Sequence, residues 1–271
     1  MMQRADVIDE IVSGLRLLTQ KQLELVAGMV KSFHIPVDYF PGQSTKIVDE
    51  VFAEEMSNQL SLHHSSQESP LNKKPFEYVM KQCLIAQGHS EADLNPAPGV
   101  SAYDVFGNNE RWSLKTEAAR SLSATQLKIE KLSEARWVRE ALTAEVCAQE
   151  VRTRIPRHME GYDRILVLRA ETRPDCYIYK LHEVPKALLQ RSVSEAKGEM
   201  FSKKDRGSRK GISFGADFYH PENGDKLFRM LLDSSVEKVR VWFQIRYCIL
   251  HGTWIVRKPD SAARGIQMRI S

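Results

Sequence analysis

Apolar residues recur at intervals of three and four over residues 5–33. Val7, Ile8, Ile11, Val12, Leu15 and Leu18 are followed by Leu23, Leu25, Val26, Met29 and Val30, the spacing of a helical stripe. The same pattern predicts a helix over 43–60, with Ile47, Val48, Val51, Phe52 and Met56 near one face. Another is predicted over 73–87, with Pro75 in its first turn and Gly88 at its end. Ser121 or Ser123 is read as the cap of a helix reaching about residue 145 and burying Leu127, Ile129, Leu132, Trp137, Val138 and Leu142. Shorter helices are expected at 184–190 and 226–233. Strands are expected as a hairpin over 102–117, as continuous apolar runs at 164–170 and 175–182, and over 240–250. In the last of these Val241, Phe243, Ile245, Tyr247 and Ile249 alternate with polar residues. Thr253–Arg257 is expected to pair back after the His251-Gly252 turn. Strands flanked by helices imply an α/β fold with a mixed central sheet.

The polar stretch from His63 to Pro70 reads as a linker. It divides a helical N-terminal region (1–62), suited to dimerisation, DNA clamping or covering the core, from a main domain (71–271). A hydrophobic content of 42% with 27% charged residues belongs to an ordinary globular chain able to bury a core. No apolar run approaches the ~20 residues needed to span a bilayer, and no secretory signal is evident, so a cytoplasmic protein is expected. Cys83, Cys147, Cys176 and Cys248 lack metal-type spacing and read as reduced thiols. The eight histidines form no ligand set, which disfavours a His-metal nuclease, and no phosphate-binding P-loop is present.

The chemistry concentrates in the hairpin Tyr103-Asp104-Val105-Phe106-Gly107-Asn108-Asn109-Glu110-Arg111-Trp112-Ser113-Leu114-Lys115-Thr116-Glu117. Ser113, Lys115 and Glu117 share one face of its second strand, because residues two apart on a strand point the same way. A carboxylate, a hydroxyl, an ammonium and a second carboxylate are the groups metal-dependent phosphodiester hydrolysis needs: hard oxygen ligands for Mg²⁺, and a cation beside the attacking water and the phosphate.

This hairpin resembles the active-site hairpin of the PD-(D/E)XK nucleases, the superfamily of many type II restriction endonucleases. Asp104 stands where that family has the Asp of its PD half-motif, with Tyr103 in place of the Pro. Ser113-Leu114-Lys115 stands where it has (D/E)-X-K, with Ser113 replacing the acid. The resemblance implies a restriction-endonuclease-like fold and a Mg²⁺-dependent, sequence-specific endonuclease of double-stranded DNA. It further implies Asp104 as metal ligand and Lys115 beside the scissile phosphate. The Leu114 carbonyl is a further candidate ligand, since backbone oxygen suits a hard cation. The missing carboxylate has three candidates: Glu77 on the preceding helix, Glu130 on the following one, and Glu117 one strand period beyond Lys115. Glu77 and Glu130 rank above Glu117. Gln126 and Glu130, at i and i+4, would share a helix face. A homodimer is expected if both strands of a palindrome are cut.

Net charge is only +4, but beyond residue 200 Lys and Arg outnumber Asp and Glu roughly two to one. The basic, Gly-punctuated segment holding Lys203, Lys204, Arg206, Arg209 and Lys210 suits phosphate contact, and its arginines suit guanine edges. Arg240, Gln244 and Arg246 form a second candidate DNA surface, and Arg154, Arg157 and His158 a weaker third. A repair or mobile-element nuclease, a catalytically silent DNA-binding relative and a non-nuclease α/β interaction protein remain alternatives.

Overall fold

The computed structural model describes residues 3–43, 47–97, 102–119, 121–203 and 212–258. Helices α1 (Arg4–Leu15) and α2 (Gln20–Phe33) come first. The sequence pattern suggested one helix here. Thr19 divides it, its side chain accepting from Gln22 N while the Gln22 side chain reaches back to Thr19 N, a reciprocal cap that starts a new helix. Strand β1 (Val37–Pro41) and helix α3 (Glu50–His64) follow, the helix starting at Asp49, whose Oδ1 accepts from Phe52 N at 2.8 Å. Helix α3 therefore begins later than the predicted helix at 43–60 and runs into the stretch read as a linker. That stretch is tied down rather than free: His64 Nε2 lies 2.8 Å from the Tyr179 hydroxyl, and its ring stacks on Tyr177.

Helix α4 (Lys73–Ala86) matches its predicted span. A short strand β2 (Asp93–Leu94) precedes the hairpin of β3 (Val105–Gly107) and β4 (Glu110–Ala119). Asn108 and Asn109 turn it with φ of 52° and 57°, the left-handed pair of a tight hairpin that Asn tolerates.

The helix predicted over 121–145 is instead strand β5 (Gln126–Glu134), a 3₁₀ turn over Arg136–Arg139, and helix α5 (Ala144–Met159). Leu127 and Ile129 are buried at the period of a strand. A bulge then sets three residues of β5 against one of its neighbour, so Leu132 follows Ile129 by three and imitates helical spacing. Strands β6 (Arg164–Thr172) and β7 (Cys176–Val184) and helix α6 (Lys186–Ser194) fall close to expectation. Then come β8 (Phe201–Lys203), β9 (Ser213–Tyr219) and β10 (Lys226–Asp233). The helix predicted over 226–233 is thus a strand, in which Phe228, Met230 and Leu232 are buried in alternation, and an irregularity beside Leu227 blurs the period. Strand β11 (Lys238–Gln244) ends in a 3₁₀ turn over Ile245–Tyr247, so the single strand expected over 240–250 divides before β12 (Ile249–Arg257).

The strands form a mixed seven-stranded sheet, ordered β1-β12-β7-β6-β4-β3-β2, and a five-stranded sheet, ordered β5-β11-β10-β9-β8. Strands β4 and β6 pair in parallel, and the other pairings among the described residues are antiparallel. The crossover between β4 and β6 contains β5 and α5. It therefore carries the chain into the second sheet and back.

Alternation along β6 splits the core. Leu166, Leu168 and Ala170 face α3 and α4, while Ile165 and Val167 join α5, α6 and the second sheet. Strand β1 pairs with β12, and Phe52, Met56 and Leu60 of α3 pack in the same cluster as Trp254. In contrast, neither α1 nor α2 has a buried residue. No helix among the described residues is long and apolar enough to cross a membrane.

Candidate active site

Asp104 sits at the entry to β3, where backbone pairing continues one step beyond the strand: Asp104 N donates to Trp112 O at 2.8 Å. Its carboxylate reaches across the hairpin, and Oδ2 accepts from Leu114 N at 2.7 Å. The N–H and C=O of one strand residue point to the same side, so the Leu114 carbonyl is directed to the Asp104 side of β4. Parallel pairing holds the other side of β4 against β6.

Lys115 projects from the opposite face to Leu114. Its Nζ lies 3.8 Å from Asp104 Oδ2 and donates to Ser113 Oγ at 2.8 Å. The Asp104 and Lys115 side chains are each only 14% exposed. Burial pushes the Lys115 ammonium down to about 8, and the nearby charges of Asp104 and Glu77 oppose that fall. Ser113 is buried and serves as acceptor for Lys115.

The preceding helix supplies a second carboxylate. Lys73 Nζ lies 2.8 Å from Asp104 Oδ1 and 3.4 Å from Glu77 Oε1, so one ammonium bridges the two acids. Glu77 is buried, and its other oxygen accepts from Lys74 Nζ at 2.7 Å. No group of three or more His, Cys, Asp or Glu with metal-binding geometry occurs among the described residues. The groups here that could hold a metal ion are two carboxylates and a backbone carbonyl. These are hard oxygen donors that suit Mg²⁺, which keeps several of its waters when only one or two carboxylates hold it. The bridging ammonium shows that a cation is accommodated between them.

The other two acids are engaged elsewhere. Glu117 is half-buried beside Arg169, with 2.8 Å between Oε2 and Nε, and the two are register neighbours on β4 and β6. Burial raises the Glu117 pKa in spite of the guanidinium. Glu130 stands on β5 rather than on a helix, so its helical pairing with Gln126 does not arise. Its partners are Lys128 and, at 3.0 Å, Arg240 in the second sheet. The next residue, Lys131, contributes to the field at Lys115.

Helix α5 and the segment after it add two groups the sequence reading did not place here. His158 is held below its ordinary pKa by burial and then by the Lys115 charge, and it also senses Asp104. Tyr162 is fully buried with no hydrogen-bond partner for its hydroxyl among the described residues, and its pKa is raised by burial and by Asp104. The run Cys147, Ala148, Val151, Ile155, Met159, at helical spacing, was the signal available for α5.

Among the expected DNA-contacting residues, Lys204, Arg206, Arg209 and Lys210 lie outside the described residues. Lys203 ends β8 and is exposed. Arg240 is engaged by Glu130, Gln244 is half-buried, and Arg246, in the 3₁₀ turn rather than on a strand, pairs with Asp225 at 2.8 Å.

A search of curated protein sequences gives no match. Among solved structures, one described as "Restriction endonuclease in complex with substrate DNA" aligns at 14% identity and a TM-score of 0.35, covering 73% of this chain and 80% of that one. The model of the SmaI family, described as type II site-specific deoxyribonuclease, matches residues 11–256. That match takes in α3, α4, the hairpin with Asp104 and Lys115, and both sheets, so the chain belongs to the SmaI family of type II site-specific deoxyribonucleases.

Proposed function

We propose that this chain hydrolyses double-stranded DNA with Mg²⁺ bound at the Asp104 carboxylate, the Glu77 carboxylate and the Leu114 carbonyl, and that it acts in the cytoplasm as a homodimer. The observation that carries the assignment is the ammonium of Lys73 lying between Asp104 and Glu77, with Lys115 beside the same Asp104 carboxylate. Bound there, the metal would polarise the phosphate and lower the pKa of its water.

The chain's own residues do the rest. Leu114 N–H fixes the orientation of Asp104. Ser113 accepts from Lys115, aiming the ammonium from a site where burial strengthens its field. Lys115 in its charged form orients the attacking water and stabilises charge developing on the phosphate. Ser113 thus acts by positioning Lys115, which accounts for a neutral hydroxyl in the place of an acid once Glu77 supplies the second carboxylate. Lys203 and Arg246, with the basic segment through Lys204, Arg206, Arg209 and Lys210, are assigned to the DNA backbone. Arg240 and Gln244, on β11, are assigned to the same role.

The test is cleavage of unmethylated phage DNA with Mg²⁺ by wild type, Asp104→Asn and Lys115→Ala. Discrete fragments from wild type, lost in both variants, support the assignment. Absence of cleavage by wild type across Mg²⁺ and Mn²⁺ concentrations overturns it in favour of a silent DNA-binding relative.

A further inference from the structure

We propose that α1 and α2 are a self-association arm, with the exposed apolar stripes of these two helices covered by the same helices of a second copy. The inference rests on the homodimer reading above and names the surface that makes it. Both helices are amphipathic, yet neither buries a residue within the chain. Val7, Ile8, Ile11 and Val12 form an exposed stripe on α1. Leu25, Met29 and Phe33, at i, i+4 and i+8, form one on α2, with Val30 beside it. Leu17, in the connector, is 87% exposed. An apolar stripe of this kind ordinarily faces a core. The contrast with α3 is direct: Phe52, Met56 and Leu60 of that helix are fully buried.

Area and charge point to a second copy as the occupant. The nine exposed apolar residues of the arm together present roughly 800 Å², about the area one partner buries in a standard protein interface. Helix α1 carries Asp6, Asp9 and Glu10 against Arg4, whereas α2 carries Lys21 and Lys31 against Glu24. The two helices have opposite net sign, which favours the two-fold arrangement in which α1 of one copy lies against α2 of the other. The acids of α1 also argue against DNA as the occupant, since phosphates would meet three carboxylates on that helix.

The experiment is sedimentation of the full chain at micromolar concentration, for wild type and two double variants, Ile8→Glu/Ile11→Glu on α1 and Leu25→Glu/Met29→Glu on α2. All four positions are exposed, so folding should survive, and circular dichroism with thermal unfolding verifies that. A dimeric wild type whose self-association weakens at least about tenfold in both variants supports the arm. A dimeric wild type with unaltered variants overturns the arm while leaving the homodimer reading standing. A monomeric wild type overturns both. Cleavage by wild type, measured in parallel, reports on the nuclease reading separately: loss of dimerisation in the variants supports the arm whether or not wild type cuts DNA.

Discussion

The Leu114 amide donates to Asp104 Oδ2 at 2.7 Å, so the backbone of β4 holds the carboxylate that enters from β3. This bond separates structural from chemical roles at Asp104. In Asp104→Asn the amide oxygen can still accept from Leu114, but the charge proposed to bind the metal is gone. Cleavage should fall by at least about 10²-fold, while cooperative thermal unfolding is retained. Single-turnover cleavage and a thermal melt check this. A variant that keeps wild-type cleavage would remove Asp104 from the site.

Lys73 holds the position between Asp104 and Glu77, at 2.8 and 3.4 Å, and a cation bound by both acids must displace it. The Lys73 side chain is 47% exposed, so the interaction is a modest one, worth up to about 1 kcal/mol. Lys73→Met should therefore tighten binding of Mn²⁺ to DNA-free protein by a few-fold, up to about fivefold, whereas Glu77→Gln should weaken it. Calorimetric titration with Mn²⁺ decides. If neither variant changes the affinity, the metal is held elsewhere.

The hairpin was legible because its information is local. Asp104, the Asn108-Asn109 turn and Ser113-Leu114-Lys115 lie within a dozen positions, and strand alternation fixes their relation. Helix α4 was equally plain from Phe76, Val79, Met80 and Leu84, and it carried Glu77 to the site. Strands β5 and β10 were misread because bulges break their period of two, and the burial that decides between helix and strand comes from distant neighbours on β11 and β9. Glu130 went wrong with β5. The influence of Asp104 on His158 and Tyr162 links groups far apart in sequence, and no spacing in the hairpin encodes it.

Glu117 and Arg169 form a largely buried ion pair, with side chains 11% and 8% exposed, and Arg169 also donates to the carbonyls of Ser123 and Gln126. The pair ties β4 and β6 to the start of β5. Removing the Glu117 charge leaves a buried guanidinium without its counter-ion, which costs about 3 kcal/mol. Glu117→Gln should thus lower the melting temperature markedly and leave the Mg²⁺ dependence of cleavage unaltered below that temperature. A shifted Mg²⁺ requirement in a stable variant would return Glu117 to the metal site.

His182 is buried, and neither ring nitrogen has a hydrogen-bond partner among the described residues. Burial, followed by the charges of Arg169, Lys180 and His251, lowers its pKa to about 4. His64 is lowered to a similar value, again chiefly by burial. In the unfolded chain each has its ordinary pKa near 6.5, so between about pH 6.5 and 4 the unfolded state binds more protons. The stability contributed by the neutral rings is complete above about 6.5 and is lost as pH falls toward 4. His182→Leu removes one of these groups and fills the site with an apolar side chain. Its melting temperature should stay near that of wild type at about pH 8 and exceed it at about pH 5. Melts of both proteins across this range test the point, and parallel curves would mean that His182 is not the group that titrates.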